Sequence, residues 1–531
     1  MKRFISLFLL FCIFIPIYAK QYKINEVIYD IEGCGHWIFG KTNEYALENT
    51  IPVDTTRVFE NEQALNIYIS SLEKQLSNLR AFEKIDIFYE PVINDSEEFM
   101  DPEELSETPE LVNLNIYVKD SFHLFAIPGP KYDSNSGLTF KLKIIDSNFL
   151  GGLNELNSDI FFLIPTQESD GNKFEFGFNC SFDYPFKAGI FNALWLNDLG
   201  LSYTFGNNMP EWDIGTGLRL TLPYNRFSLV FETNQRFTND FLYEEFDDNL
   251  YFVNDFKFYV PFTLLSTNYF GKLQWTPYTI ATVNWDHNGI AKNNSDLSSP
   301  IIDVGHKLSL GRTDWEENLR DGLTLLLDNS YVYNFQRKRF YPQIQLDLSA
   351  YKKIDLLVNH NFLRNMGLCI NTKTFAFFIN PKNDIYIFND GKLIGKYLRG
   401  IRDAQDYEGT EFSSLLPTSA FIMNFDIPIH IIRTNFTKGF MRYMNFDMQL
   451  APFFDMALCY NKINQTFFAP KDGFYAAGLE VIVYPLKWSG ITIRGSVGID
   501  IGRKLLKNHI NMDWREDTDY KEFSIGFGLH Y

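Results

Sequence analysis

The segment NFDMQLAPFFDMALCY, at residues 445–460, decides the fold class of this chain. Every even-numbered position is apolar or proline, and polar side chains occupy several odd-numbered positions: Asn445, Asp447, Gln449 and Asp455. Because successive side chains of a β-strand point to opposite faces, this period of two predicts a strand with one apolar and one polar face. The segment is also long, since strands of soluble sandwiches usually have about 5–6 residues.

Two later segments repeat this alternation. Residues 490–501 place isoleucine and valine on one face and Thr492, Arg494 and Asp500 on the other, and residues 523–531 alternate in the same way. A soluble sandwich also alternates, with its apolar face toward a core. Long strands that oppose an apolar face with charged and small residues are instead typical of a barrel that is apolar outside and polar inside. We therefore predict an all-β transmembrane barrel.

The N-terminus predicts export. Lys2 and Arg3 precede an apolar run at residues 4–17, and Ala19 ends it, so residues 1–19 are interpreted as a signal peptide, with an uncleaved anchor as the alternative. The rest of the chain contains no apolar run of the roughly 18 residues that a spanning helix requires. Such a chain would cross a bilayer as a closed barrel, because closure pairs all backbone groups.

Composition favours the same class and excludes several others. Aromatic residues make up 17% of the 531 residues, yet the mean hydropathy is slightly negative, as expected when aromatic and polar side chains alternate. The net charge of −18 argues against a nucleic-acid partner. Cys34 and His36 are more simply incidental neighbours than a metal site, because no further ligands are spaced with them. We expect a protein without enzymatic activity, catalytic residues, bound metal or cofactor.

Residues 20–120 predict a small α+β domain in front of the barrel. Three alternating segments there predict strands, and residues 64–79 carry apolar side chains at helical spacing. From residue 121 to 531 the period of two replaces the helical pattern. Pro185, Pro223 and Pro261 follow at intervals of 38 residues, the length of two long strands with their turns. A barrel of this length, at roughly 25 residues per strand and turn, has about sixteen antiparallel strands.

Four short motifs follow one another along the chain: LVNLNIYVKD at 111–120, SNFLGGLN at 147–154, YLRGI at 397–401 and FFDMA at 453–457. With them the chain resembles the BamA/TamA-like outer-membrane protein assembly superfamily over nearly its whole mature length. The first motif is similar to the end of a single POTRA module, and the second to the turn after the second barrel strand. The third resembles the V-R-G-F/Y signature of an internal loop, and the fourth the F-x-D-x-G signature of the barrel wall.

The resemblance implies that Arg399 and Gly400 lie at the tip of a long loop folded back into the barrel, where they meet Asp455. The supporting motif positions are Phe453 and three mild departures from the family pattern: Leu398 for valine, Ile401 for an aromatic residue and Ala457 for glycine.

The residues themselves give a second reason for this pair. Asp455 lies on the polar face of its strand by parity, and an inward carboxylate needs water or a partner. The planar guanidinium group of an arginine suits a bidentate pair, and Gly400 allows a tight backbone turn. The alternative is that Arg399 is a solvated loop charge while Asp455 pairs with Arg494.

The C-terminal residues form the pattern Ser524-x-Gly526-x-x-Leu529-x-Tyr531. This pattern resembles the assembly signal read by the bacterial barrel assembly machinery. A last strand that merely has small residues on its inner face is the alternative.

The resemblance implies a location in the outer membrane of a double-membraned bacterium, with the N-terminal domain in the periplasm. The implied function is assembly, insertion or translocation of other outer-membrane proteins. Its partners would be the lipid bilayer, unfolded client proteins and periplasmic or lipoprotein accessory subunits. A two-partner-type secretion pore, and a porin or surface antigen that kept only the fold, are the alternatives. A weakly paired seam between the first and last barrel strands would be the place where such a barrel opens.

Overall fold

A computed structural model describes most of the chain after residue 19: residues 20–34, 40–92, 109–133, 137–164, 173–207, 209–239, 250–267, 270–286, 289–290, 298–356, 363–377, 398–401, 418–439, 441, 444–460, 465–486, 492–506, 508–510 and 521–527. The predicted signal peptide at residues 1–19 lies outside this part. The chain divides into two compact units between Ser121 and Phe122.

The first unit is a four-stranded sheet with two helices, in the sequence order β1 (Tyr22–Glu32), α1 (Glu44–Thr50), β2 (Val58–Phe59), α2 (Glu62–Asn78), β3 (Phe82–Pro91) and β4 (Glu110–Asp120). The sheet order is β2-β1-β4-β3, with β1 parallel to β4 and β3 antiparallel to it. This arrangement confirms the predicted small α+β unit.

Local sequence explains where these helices begin and which face they bury. Asn43 and Asn61 cap α1 and α2, because each side-chain oxygen accepts a hydrogen bond from a backbone N–H in the first turn. On α2 the buried residues recur at helical spacing: Leu65, Ile69, Leu72 and Leu76. Alternate residues of β4 are buried as well: Val112, Leu114, Ile116 and Val118. No helix among the described residues is long and apolar enough to cross a membrane.

The second unit consists almost entirely of antiparallel strands: β5 (Leu124–Asp133), β6 (Gly137–Asp146), β7 (Leu156–Ile164), β8 (Glu175–Ala188), β9 (Phe191–Thr204), β10 (Glu211–Pro223), β11 (Ser228–Asn239), β12 (Leu250–Tyr259), β13 (Phe262–Thr267), β14 (Gly271–Asp286), β15 (Gly289–Ile290), β16 (Ile301–Glu316), β17 (Leu319–Asn334), β18 (Arg339–Asp355), β19 (Asn365–Ala376), β20 (Ala420–Asp426), β21 (Ile429–Arg433), β22 (Phe446–Cys459), β23 (Phe474–Pro485), β24 (Ile493–Asp500) and β25 (Lys521–Phe527). A short helix, α3 (Ile501–Leu505), follows β24. The sheet closes on itself with β25 next to β5, which confirms the predicted barrel.

The described strand segments form eighteen full strands. The segments β12 and β13 are one interrupted strand because both pair with β14, and β20 and β21 both pair with β22 in the same way. The two-residue β15 only extends the turn after β14. The sequence estimate of about sixteen is lower, because it assumed roughly 25 residues per strand and turn. Several connections are much tighter, such as the two-residue turn between β16 and β17.

Prolines occupy three kinds of position in this barrel, and Pro185 has the third, inside the continuous strand β8. Pro223 and Pro485 end β10 and β23, as the sequence suggested for the whole set. Pro261 and Pro428 instead interrupt strands, between β12 and β13 and between β20 and β21. A proline has no N–H for the ladder, so the strand breaks there and continues beside the same neighbour.

Strand β22 has the alternating faces that its sequence predicts. The odd-numbered residues from Asp447 to Cys459 are all buried, whereas the even-numbered ones are partly or fully exposed. The inward residues include Asp447, Gln449 and Asp455, so the lumen side is polar and the outer side apolar.

The two ends of the barrel can be distinguished by their connections. The end where β5 begins also carries the short turn between β16 and β17, and we call it the turn end. The opposite end, which we call the loop end, carries the long connection between β19 and β20.

Candidate functional site

The long connection between β19 and β20 contains a buried tip. The structure describes residues 398–401 of this connection, flanked by undescribed residues on both sides. Leu398, Arg399 and Ile401 are buried, at 1%, 5% and 3% exposure. Their neighbours are inward-facing residues of the barrel wall, so the tip lies inside the lumen. We call residues 398–401 the loop tip.

Arg399 and Asp455 form the predicted pair. The Nε atom of Arg399 donates to Oδ2 of Asp455 at 2.9 Å, and its Nη2 donates to Oδ1 at 2.7 Å. The backbone N–H of Arg399 donates to the same Oδ2 at 2.9 Å. Two parallel guanidinium bonds give the bidentate geometry that an arginine fork allows, and Asp455 is fully buried.

Two further carboxylates bind the remaining guanidinium nitrogen. Nη1 of Arg399 donates to Oδ1 of Asp426 at 2.7 Å and to Oε2 of Glu480 at 2.9 Å. The guanidinium carbon lies 3.8 Å from the ring centroid of Phe453, a cation–π distance. One cation therefore bridges inward carboxylates on β20, β22 and β23. We call these three carboxylates and Arg399 the arginine cluster.

Gly400 brings the backbone of the loop tip against β24. Its φ of +89° lies in the left-handed region that favours glycine. A Cβ atom added at Gly400 would lie 2.6 Å from the backbone nitrogen of Ile499 and 2.8 Å from Cα of Gly498, so no larger residue fits. The N–H of Gly400 donates to Oε2 of Glu522 on β25 at 2.6 Å. The loop tip thus also contacts the last described strand.

The structure places the other predicted residues as follows. Phe453 and Ala457 are buried on the inner face of β22, and Phe453 lies against the guanidinium of Arg399. Arg494, the alternative partner of Asp455, has its Nη1 3.8 Å from Oε1 of Glu480. Ser524 and Gly526 lie on β25, opposite Ser496 and Arg494. Leu529 and Tyr531 lie outside the described residues.

Sequence reasoning did not identify four residues of this site: Asp426, Glu480, Gly498 and Glu522. Strand parity contains the signal for the first, because Ala420, Ile422, Asn424 and Asp426 are all inward and buried. Glu480 is inward by the same rule on β23. Glu522 is also inward by parity, since Phe523 and Ile525 face outward, but its bond to Gly400 has no local sequence signal.

The described residues contain no group of three histidine, cysteine, aspartate or glutamate side chains that could hold a metal ion. Cys34 is a free thiol, and His36 lies outside the described residues. The contacts that Arg399 makes are ion pairs, hydrogen bonds and one cation–π contact.

A closed barrel with an apolar outer face, a polar inner face and a buried loop tip defines the class: a transmembrane-type β-barrel with a loop tip inside its lumen. Solved structures similar in fold include CdiB from Acinetobacter baumannii, at 11% identity and a TM-score of 0.46, over 95% of this chain and 73% of that chain. CdiB from Escherichia coli matches at 8% identity and a TM-score of 0.46, over 95% and 75% of the two chains.

BamA from Haemophilus ducreyi, in a form lacking POTRA domains 1-3, matches at 11% identity and a TM-score of 0.34, over 95% of this chain and 84% of that chain. No family model and no curated protein matches the chain. Matches at these identities and TM-scores carry neither a family nor a function to this chain.

Proposed function

We propose that this protein assists the insertion or translocation of other outer-membrane proteins, without enzymatic activity, through a barrel that its own loop plugs at rest. The observation that carries the proposal is the set of strands that one loop tip holds together. Arg399 bonds to β20, β22 and β23, and Gly400 packs on β24 and bonds to β25. A plain porin would need no such connection between a lumenal loop and its last strand.

The last strand gives the second support for this function. β25 lies beside β5, where the barrel closes. Pro128 and Pro130 of β5 lack the N–H groups that a ladder uses, and Gly526 weakens β25. A strand weakened by glycine, next to one that lacks N–H groups at its prolines, separates from its neighbour at lower cost than two regular strands. The seam between β5 and β25 is therefore the proposed opening.

The first unit supplies a surface for incoming strands. Its strand β3 is at the edge of the sheet, so one side of its backbone is available for pairing. An extended client segment binds such an edge by β-augmentation, through main-chain hydrogen bonds that require little sequence specificity. In this proposal the unit is a POTRA-like domain in the periplasm, and the signal peptide exports the chain. The turn end of the barrel then faces the periplasm.

Lumen charge bears on the secretion-pore alternative, which predicts an unusually basic or wide lumen. A large lumenal cavity is bordered by Glu232 and five aspartates: Asp183, Asp198, Asp213, Asp255 and Asp303. Arg236 and Lys257 are its basic residues. This acidic lining does not support the basic lumen that the pore alternative predicts.

Depletion of the protein in its host tests the assembly role. We expect the amounts of several other outer-membrane barrels to fall together, because they would share one insertion route. Crosslinking before purification should recover unfolded barrel clients or accessory lipoproteins. Loss of one secreted protein alone would favour the secretion pore, and unchanged outer-membrane proteins with a conducting purified barrel would favour a porin.

A further inference from the structure

The turn between β16 and β17 extends into the barrel at the turn end. Its central residues Glu317 and Asn318 have φ values of +54° and +64°, which form a tight two-residue hairpin. In the barrel order, β18, β19 and the interrupted strand β20–β21 separate β17 from β22. The turn nevertheless contacts β22 directly. It must therefore cross the inner face of the intervening strands, and we call Glu317 and Asn318 the inner turn.

Asn318 makes the contacts between the inner turn and β22. Its Nδ2 donates to Oδ2 of Asp447 at 2.9 Å, and its carbonyl oxygen accepts from Nε2 of Gln449 at 2.8 Å. Nε2 of His430 lies 2.6 Å from the other oxygen of Asp447. Asp447, Gln449 and His430 are each 1% exposed. Buried polar groups of this kind hold their partners firmly, because an unpaired one costs about 1–3 kcal/mol.

Glu317 fixes the other side of the inner turn to β18 and β19. Its carboxylate accepts from Nδ2 of Asn365 at 2.8 Å and forms an ion pair with Nζ of Lys353 at 3.3 Å. Arg364 also pairs with it. The inner turn is thus connected to three wall strands, β18, β19 and β22, rather than lying free at the barrel rim.

Apolar packing supports the same position. Leu319 is 2% exposed and lies over Gly367 of β19, where an added Cβ would be 3.2 Å from it. Trp315 packs against Ala451, Ile482 and Tyr484, with its ring centroid 6.5 Å from that of Tyr484. A cavity separates this packing from Arg399 and is lined by residues of both, including Trp315, Asn318 and Arg399.

The loop tip and the inner turn bind the same strand at two heights. Asp455 receives Arg399 and Asp447 receives Asn318, both on the inner face of β22. Their eight-residue separation corresponds to about 26 Å along the strand, so the two contacts lie far apart on β22. We propose that the inner turn is a second internal plug, latched by Asn318 to Asp447, and that it obstructs the lumen in series with the loop tip. This inference goes beyond the assembly role, because it concerns the resting barrel whatever its client.

Single-channel conductance of the full-length purified protein in planar bilayers tests the second plug. The measurement uses an Arg399→Ala background, in which the first obstruction is weakened. Asn318→Asp places a carboxylate against Asp447, so we expect a severalfold higher open conductance. Adding Asp447→Asn restores a compatible amide–carboxylate pair and should return the conductance to that of Arg399→Ala alone.

Asn225→Asp is the matched control, since Asn225 is an exposed residue in the turn between β10 and β11 at the same end. It should leave the conductance unchanged. Three results would overturn the proposal: no rise with Asn318→Asp, an equal rise with Asn225→Asp, or no return with Asp447→Asn. The folded state of each variant is checked by its mobility in unheated and heated detergent gels.

Discussion

Arg399→Ala is the perturbation that most directly disturbs the plug. It removes the guanidinium that three buried carboxylates share: Asp426, Asp455 and Glu480. It also removes the planar group that lies over Phe453. The side chains that remain carry like charges in a site of low exposure. We expect the loop tip to leave this site while the barrel wall, whose strands are held by backbone ladders, stays folded.

The size of the effect follows from the burial of the partners. Removing one member of a buried ion pair costs about 3–5 kcal/mol, because the other charge is left uncompensated. Since about 1.4 kcal/mol is a factor of ten, the ratio of docked to undocked loop should fall roughly 100- to 4,000-fold. Undocking lets water reach the carboxylates, so the lower half of that range is the expected result.

Planar-bilayer recordings measure this change as open probability and conductance. We expect rare, short openings for the native protein and long openings for Arg399→Ala. Arg399→Lys should give an intermediate result, since an ammonium group keeps the charge but loses the bidentate fork. The matched control is Arg236→Ala, an inward arginine whose contact with Asp213 is 49% and 45% exposed at the two side chains. An exposed pair contributes about 0–1 kcal/mol, so this variant should record like the native protein. Equal behaviour of Arg399→Ala and Arg236→Ala would refute the reasoning.

Three further changes test parts of the same account. Gly400→Ala should undock the loop tip almost as strongly as Arg399→Ala in the same recordings, because φ is +89° and the added Cβ would lie 2.6 Å from the β24 backbone. Closure like that of the native protein would contradict this steric argument. Glu522→Gln should keep the loop tip docked but weaken its hydrogen bond to β25, which would be measured as faster hydrogen exchange of β25. Unchanged exchange would show that the bond to Gly400 does not stabilise β25. Asp120→Ala removes the acceptor for the N–H and hydroxyl of Thr42, at 2.8 and 2.6 Å. It should lower the free energy of unfolding of the first unit by about 1–3 kcal/mol in denaturant titrations of the full chain. The unfolding transition of the barrel should stay unchanged.

A charge reversal of the Arg399–Asp455 pair tests whether the two other carboxylates of the arginine cluster matter. Asp455→Arg with Arg399→Asp would restore a simple two-residue pair. In this site, however, the aspartate at position 399 would face Asp426 and Glu480. We therefore expect partial rescue of closure, and full rescue only when Glu480→Gln is added.

Strand parity explains how much of the barrel the sequence could predict. On β22 a single rule, alternation, assigns Asp447, Gln449 and Asp455 to the inner face, and the structure agrees. The same rule applied to β20 would have found Asp426. Parity follows from local backbone geometry, so it can be read without knowing the fold.

Contacts across the lumen could not be predicted in this way. The bond from Gly400 to Glu522 joins residues 122 positions apart, and that from Asn318 to Asp447 joins residues 129 apart. Neither contact has a local pattern, because each depends on barrel diameter, strand stagger and the inward bend of a connection. The number of strands could not be predicted either, because it depends on how short the turns are.

Thiol accessibility of the loop tip is the most direct test of the central claim that residues 398–401 lie inside the lumen. Leu398→Cys, in a chain without its native cysteines, is exposed to a bulky maleimide in the folded, detergent-solubilised protein. Lys338→Cys, in the exposed turn between β17 and β18, is the reference. The account predicts that Leu398→Cys is strongly protected relative to Lys338→Cys and becomes reactive when Arg399→Ala is added. Labelling of Leu398→Cys at the rate of Lys338→Cys in the otherwise native barrel would contradict it.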